Sequence, residues 1–349
     1  MKRTTATREI IETTIGENHI RGTYHLPSPC EPQTKGHGRN SIGVLFVNPG
    51  VLPRAATGDS AVYWADSFAK CGYPSFRFDL PGLGESDGDL PNKVIDFQCK
   101  VNEGEYAPAL SGIIDFLVDR YTLAGVVVLA HCAGAVSALY AGSTNAAIKG
   151  LVLLDPYFYL QQSFSKRNLM SHWHMRLIRQ IEDANDQTVV SGFRAARVKV
   201  FLLTRGLYLF LKGIRLRALP AGLPGNANLP LIRCWNKLVS GRVPILVLRA
   251  SMSTSKPGEF DYFGYLMPAS SPNNRLAGAM IEGATHSFGE ISAREAVRKF
   301  SETWLREFFP QTQDVSRESY RERSNMVRGS AQRKSRVGSR LSDEAVEPI

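Results

Sequence analysis

A cysteine and a histidine in this sequence have surroundings that fit nucleophilic catalysis. Cys132 lies between an apolar, β-branched run at 126–130 and a segment with helical periodicity that begins near Ala133. A thiol at a helix N-terminus near an imidazole has its ionised form stabilised by the helix dipole and by a protonated histidine. His286 follows another apolar run, and we predict that it is the general base that takes the Cys132 proton.

The elements around these two residues alternate between apolar strands and amphipathic helices, which indicates a doubly wound, mostly parallel sheet. The hairpin at 8–27 is predicted to hold two strands around a turn near Gly16. We divide the chain into a core of 1–156 and 241–309, an inserted basic helical cap at 157–240 and a disordered tail at 310–349. Further strands are predicted at 41–50, 73–79, 126–130, 148–155, 243–251 and 276–286, and helices at 59–72, 106–120 and 292–309.

The turn at Cys132 resembles the nucleophile elbow of the α/β-hydrolase superfamily. Residues 130–134 read AHCAG, where the superfamily has G-x-S-x-G at a sharp strand-to-helix turn. Residues 79–86 (DLPGLGES) resemble its loop after the preceding strand, and residues 283–288 (GATHSF) resemble its histidine loop. Within the superfamily the chain is most similar to hydrolases associated with exosortase systems. The resemblance implies an α/β-hydrolase fold with an inserted cap.

The acid that would complete a catalytic triad is the least determined position. The superfamily's usual aspartate would fall near Ser253, but residues 249–258 contain no acid. We favour Asp155, at the end of the strand after the elbow, where pancreatic-type lipases keep their acid. The alternatives are Glu259 or Asp261, or a Cys–His dyad with no third member. Asp155 could also merely cap the next helix.

Two backbone amides should stabilise the oxyanion that forms when the substrate carbonyl is attacked. The resemblance implies that Ala133, directly after the nucleophile, supplies one of them. The second should come from the loop after the strand at 41–47, where Pro49 has no N–H and either Gly50 or Val51 must donate. Val51 aligns best with the donor of the superfamily.

The composition narrows the class of protein. Five widely spaced cysteines, without a CxxC pair or a Cys/His cluster, argue against a structural metal and for a reducing compartment. No segment reads as a signal peptide or as a membrane span. We therefore predict a soluble cytoplasmic protein that uses no metal and no cofactor.

The net charge of the chain is concentrated in the predicted cap. Residues 157–240 contain thirteen Lys and Arg against three acids, a net charge of +10 that equals the total for the whole chain. This charge would attract acyl-CoA or an acyl carrier protein, which are both anionic. The apolar, basic stretch at 197–219 is interpreted first as a pocket lid, second as a docking surface for those donors, and third as a peripheral membrane contact. We do not expect nucleic-acid binding, because no recognisable module accompanies the charge.

These observations predict an enzyme that forms an acyl-cysteine intermediate from ester or thioester substrates, with hydrolysis favoured. A thioester on cysteine has nearly the same free energy of hydrolysis as an acyl-CoA or an acyl carrier protein, so acyl transfer from those donors has a free-energy change near zero. One alternative is an acyltransferase that passes the acyl group to an amine or an alcohol. The other is a catalytically silent member of the superfamily that serves as an interaction module.

Overall fold

The computed structural model describes residues 7–27, 41–160, 223–224, 226–253, 260–267 and 275–310. Most of the predicted cap (161–222), almost all of the predicted tail (311–349) and the candidate acid Glu259 lie outside these ranges.

The described residues form one eight-stranded sheet in the order β1-β2-β4-β3-β5-β6-β7-β8. The β1–β2 and β2–β4 pairs are antiparallel, and every other neighbouring pair is parallel. This confirms the predicted mostly parallel sheet. The strands are β1 (Arg8–Ile15), β2 (Asn18–His25), β3 (Ile42–Val47), β4 (Ser75–Phe78), β5 (Gly125–His131), β6 (Ile148–Leu154), β7 (Ile245–Ala250) and β8 (Leu276–Ile281).

Helices cover both faces of this sheet, as a doubly wound fold requires. Helices α1 and α7 share an apolar cluster on one face, whereas α2 to α6 contribute to the larger cluster on the other face. Strand β5 is buried along its whole length, which explains its continuous apolar sequence. The helices are α1 (Ser60–Lys70), α2 (Val94–Glu103), α3 (Ala107–Tyr121), α4 (Ala133–Gly142), α5 (Leu229–Ser240), α6 (Tyr262–Leu266) and α7 (Ile291–Phe308), with 3-10 turns at Thr57–Asp59 and Ser251–Ser253.

The end of the predicted cap packs as part of the core. Helix α5 buries Leu231 and Trp235 in the same apolar cluster as α4, so we describe it with the helical layers of the sheet. The chain on either side of 161–222 is held together, because the Leu160 amide donates to the Asn226 carbonyl at 2.7 Å. The division at 157 and 240 otherwise stays a prediction. None of the helices within the described ranges combines the length and the apolar character needed to cross a bilayer.

Candidate active site

Cys132 occupies a strained turn between β5 and α4. Its backbone has φ 53° and ψ −118°, a conformation that residues other than glycine rarely adopt and that costs about 1–3 kcal/mol. Neighbouring segments hold it there: the Cys132 amide donates to the Leu154 carbonyl at 3.0 Å, and the Cys132 carbonyl accepts from the Ala135 amide at 3.0 Å. The turn therefore presents the half-buried thiol at the carboxyl edge of the sheet, at the N-terminus of a helix.

Gly134 allows this turn to pack tightly against the loop after β3. A Cβ atom at position 134 would lie only 2.4 Å from the backbone oxygen of Asn48 and 3.2 Å from Val47 Cγ1. No real side chain tolerates such a distance, so only glycine lets α4 approach this loop so closely. This loop carries Gly50 and Val51, the two predicted donors for the oxyanion.

Asp155 lies at the carboxyl end of β6, next to His286. One carboxylate oxygen, Oδ1, accepts from the Ala250 amide at 3.0 Å, and the other, Oδ2, lies 2.9 Å from His286 Nδ1. The Asp155 amide also donates to the Leu248 carbonyl at 2.9 Å. The end of β7 therefore aims the carboxylate at the imidazole, and Nδ1 must carry the proton because an ionised carboxylate can only accept.

The environment of His286 favours its protonated form. The hydrogen bond to Asp155, and then the hydrogen bond to the Cys132 sulfur, raise the pKa of His286 to about 10 against the opposing effect of burial. The imidazole thus contacts a carboxylate on one side and the thiol on the other.

His131, the neighbour of Cys132 in sequence, differs sharply from His286. Its ring is buried, lies 4.9 Å from the His286 ring between centroids, and meets the Phe288 ring edge-on at 5.5 Å. Burial, and then the charge of His286, lower the pKa of His131 to about 4. The two neighbouring imidazoles therefore favour opposite protonation states: His131 is neutral and packs against the protonated ring of His286.

The predicted oxyanion donors lie at the turn and at the facing loop. Ala133 is the first residue of α4, and helix N-termini leave their first amides without intrahelical acceptors. Gly50 lines a narrow slot together with Ala133 and Gly134, whereas the side chain of Val51 is exposed. None of the hydrogen bonds between described residues uses the amides of Ala133, Gly50 or Val51. The amides of Gly50 and Val51 are therefore both available as the second donor.

A buried polar network fixes the loop that carries Gly50 and Val51. The Asn48 carboxamide donates to the Leu52 carbonyl and to Asp79 Oδ1, both at 2.9 Å. Asp79 is fully buried and also accepts from the Arg54 amide at 2.6 Å and from the Arg54 guanidinium at 2.5 Å. The structural interpretation of Asp79 from the sequence agrees with these contacts, whereas the part played by Asn48 and Arg54 carried no sequence signal.

Asp261, the other described candidate for the acid, has a contact of its own, and Cys99, which we expected to be inert, is buried. Asp261 accepts from the Phe263 amide at 3.1 Å and so caps α6, which is the role that we had considered for Asp155. Cys99 is buried, and burial raises its pKa to about 12, which leaves it an unreactive thiol at neutral pH. Ser253, where the superfamily's usual aspartate would fall, is a neighbour of His286 that we did not predict: its hydroxyl lies 3.2 Å from Nδ1.

Comparisons with known proteins agree with this architecture. The family model for the alpha/beta hydrolase fold matches residues 46–220, half of the chain. The structure is similar to that of the alpha/beta hydrolase GrgF from Penicillium sp. sh18, with a TM-score of 0.54 at 15% identity over 87% of this chain and 100% of that chain. It is also similar to the Pyrococcus furiosus esterase PF2001, with a TM-score of 0.52 at 15% identity over 86% of this chain and 91% of that chain.

At such identities these structures show a shared fold and nothing finer. No curated protein sequence matches the chain significantly. The narrower similarity to exosortase-associated hydrolases stays a prediction. The family match, the parallel sheet and the elbow at the end of β5 together establish that the chain belongs to the alpha/beta hydrolase fold family.

Proposed function

We propose that this protein is a hydrolase of ester or thioester bonds that works through an acyl-cysteine intermediate, with Cys132 as nucleophile, His286 as acid and base, and Asp155 as the acid of the triad. The observation that carries the proposal is the position of His286: Asp155 Oδ2 lies 2.9 Å from its Nδ1, and both Asp155 and Cys132 raise its pKa. One structural neighbour, PF2001 from Pyrococcus furiosus, is named an esterase, which agrees with this class of reaction.

Acylation follows from this arrangement. The Cys132 thiolate attacks the substrate carbonyl carbon, and the carbonyl oxygen becomes an oxyanion that the amides of Ala133 and of Gly50 or Val51 can stabilise. The tetrahedral intermediate collapses by breaking the bond to the leaving oxygen or sulfur, which takes the proton from His286 Nε2. The products are a thioester on Cys132, a neutral imidazole and the free alcohol or thiol. Asp155 keeps Nδ1 protonated throughout, so that Nε2 is the nitrogen that exchanges the proton.

Deacylation reverses these roles. Water approaches the thioester carbonyl and gives a proton to His286 Nε2, and the C–S bond then breaks to release a carboxylic acid and the Cys132 thiolate beside the imidazolium. An amine or an alcohol could replace water in the same step, which would make the enzyme an acyltransferase. The residues described around Cys132 hold no feature that selects such an acceptor, so we favour hydrolysis.

Two properties favour a thioester donor. A thiolate that attacks an acyl thioester exchanges one C–S bond for another, which costs little free energy. The segment 157–240 has a net charge of +10, which would raise the local concentration of acyl-CoA or of an acidic carrier protein. Acyl-CoA and carrier-bound acyl groups are therefore the proposed substrates, and this segment is their proposed docking element and lid.

Selective alkylation tests the activated pair. We expect iodoacetamide to label Cys132 at pH 6 to 7 at least tenfold faster than Cys71, Cys99 or Cys234, because the charged imidazole stabilises its thiolate. His286→Ala should remove this advantage. Equal labelling rates in the native protein and in His286→Ala would instead identify a silent fold that serves as an interaction module.

Intact mass spectrometry then identifies the chemistry. The protein is incubated with panels of acyl-CoA and acyl-N-acetylcysteamine, with Cys132→Ala as the control that cannot form an adduct. An adduct that decays in water alone supports hydrolysis, whereas an adduct that decays only after addition of an amine or an alcohol supports transfer. A preference for the CoA panel that disappears at high salt would support electrostatic docking on the basic segment.

A further inference from the structure

His286 Nδ1 lies within hydrogen-bond distance of two side-chain oxygens in the structure. Asp155 Oδ2 is 2.9 Å away and Ser253 Oγ is 3.2 Å away. Nδ1 carries a single proton, and the carboxylate must accept it, so the serine hydroxyl also accepts and the N–H is shared between the two oxygens. The shorter bond, to the charged oxygen, is the stronger of the two.

The turn that carries Ser253 is fixed relative to the loop of His286. Ser251 Oγ accepts from the Gly283 amide at 2.9 Å, and the Met252 amide donates to the Ala284 carbonyl at 3.0 Å. These two bonds join the turn after β7 to the segment that leads from β8 to His286. The approach of Ser253 to the imidazole is therefore set by the contacts of the two residues that precede it.

Asp155 is held by the end of β7, directly before the same turn. Its second oxygen accepts from the Ala250 amide, three residues before Ser253, at 3.0 Å. The end of β7 thus orients the carboxylate through its backbone and reaches the imidazole directly through a side chain. Both routes converge on one nitrogen atom of His286.

We propose that Ser253 is a positioning residue for His286. Because the superfamily's usual acid would fall at this position, an aspartate introduced there can test that role in place of Asp155. An aspartate at position 253 extends one bond beyond the serine hydroxyl, and rotation about its side-chain bonds brings an oxygen to Nδ1. This inference rests on the proposed function, because it assigns a role within the same catalytic pair.

The test moves the carboxylate from β6 to the turn after β7. Asp155→Asn should slow Cys132 alkylation by iodoacetamide at pH 7 about tenfold or more, since loss of the carboxylate lowers the pKa of His286. Adding Ser253→Asp should restore at least about tenfold of that loss. Adding Ser253→Asn to the same background is the matched control, because it has the same shape without the charge, and it should restore nothing.

Ser253→Ala in the otherwise native protein provides an independent measurement. We expect alkylation of Cys132 at pH 7 to slow by about threefold, because His286 Nδ1 loses one uncharged hydrogen-bond acceptor. The acid limb of the profile of alkylation rate against pH should shift for the same reason. A purely structural role would lower the melting temperature without moving that profile. If the double variants do not fold, as judged by circular dichroism, Ser253→Ala decides the matter.

The proposal is overturned if folded Asp155→Asn/Ser253→Asp reacts no faster than folded Asp155→Asn/Ser253→Asn. It is also overturned if Ser253→Ala keeps the native rate and pH profile. These outcomes are distinct from failure of the proposed function, in which His286→Ala itself would alkylate as fast as the native protein.

Discussion

Gly134→Ala offers a selective test of the oxyanion site. The added methyl group would lie 2.4 Å from the Asn48 oxygen, whereas ordinary contacts of this kind begin at 3.4 Å, so the loop after β3 must retreat by about 1 Å. That displacement carries the amides of Gly50 and Val51 away from the substrate oxygen. A misplacement of about 1 Å costs on the order of 100-fold in rate, similar to the loss of one oxyanion donor.

Two reactions of the same cysteine separate this effect from general damage. Acylation by p-nitrophenyl acetate builds an oxyanion, and we expect its kcat/KM to fall about 100-fold in Gly134→Ala. Alkylation by iodoacetamide builds none, so its rate at Cys132 should stay within about threefold of the native value. Gly142→Ala is the matched control on the same helix, because its Cβ would meet Leu238 Cδ2 at 3.4 Å, an ordinary contact.

The control should keep native rates in both reactions and should gain about 0.5–1 kcal/mol in the free energy of unfolding, since alanine favours a helix over glycine. Native acylation by Gly134→Ala would refute the reasoning, because the loop would then not matter to the oxyanion. An equal loss of acylation and alkylation would refute it as well, since the damage would lie at Cys132 itself.

Two further predictions concern stability. Burial and a neighbouring arginine lower the pKa of His25 to about 4, so between pH 6.5 and 4 the unfolded chain binds a proton at this residue that the folded protein does not bind. The free energy of unfolding should therefore decrease as the pH is lowered, by up to about 1.4 kcal/mol per pH unit from this group. Urea titrations at several pH values should show a weaker pH dependence in His25→Gln but not in His19→Gln, whose side chain is exposed. Asp79→Asn should lower the free energy of unfolding measured in urea by about 3 kcal/mol, because it removes the buried charged partner of Arg54. Glu85→Gln removes the exposed partner of the same guanidinium and should change the free energy of unfolding by less than about 1 kcal/mol. Equal losses in the two variants would contradict this account.

The basic segment shows where sequence reasoning reached its limit. We bounded the predicted cap at 157 and 240 because this stretch interrupts the alternation of strands and helices, and we counted Arg233 and Lys237 within its net charge of +10. In the structure those two side chains lie on α5, whose other face packs Leu231 and Trp235 into the core. Net charge sums over both faces of a helix, so it does not reveal that one face is apolar and buried.

Local patterns in the sequence were sufficient to predict the strands and the turn at Cys132, and to select Cys132 and His286 as candidates. A buried parallel strand needs a continuous apolar run, and a sharp turn into a helix needs small neighbours, so these features are visible within a few residues. Helix α2, for which we had no prediction, has no comparable pattern: it buries Phe97, Cys99, Val101 and Asn102 in a mixed sequence.

The partner of the imidazole was decided only by the tertiary structure. Asp155 and His286 are 131 positions apart, and the sequence favoured Asp155 without excluding Glu259 or Asp261. A hydrogen bond requires two atoms within about 3 Å, and that distance depends on how β6, β7 and the loop after β8 meet at one edge of the sheet. The same packing brings Ser253 within 3.2 Å of the same nitrogen, because contacts between residues far apart in the sequence are set by the fold. Asp261 instead caps the N-terminus of α6.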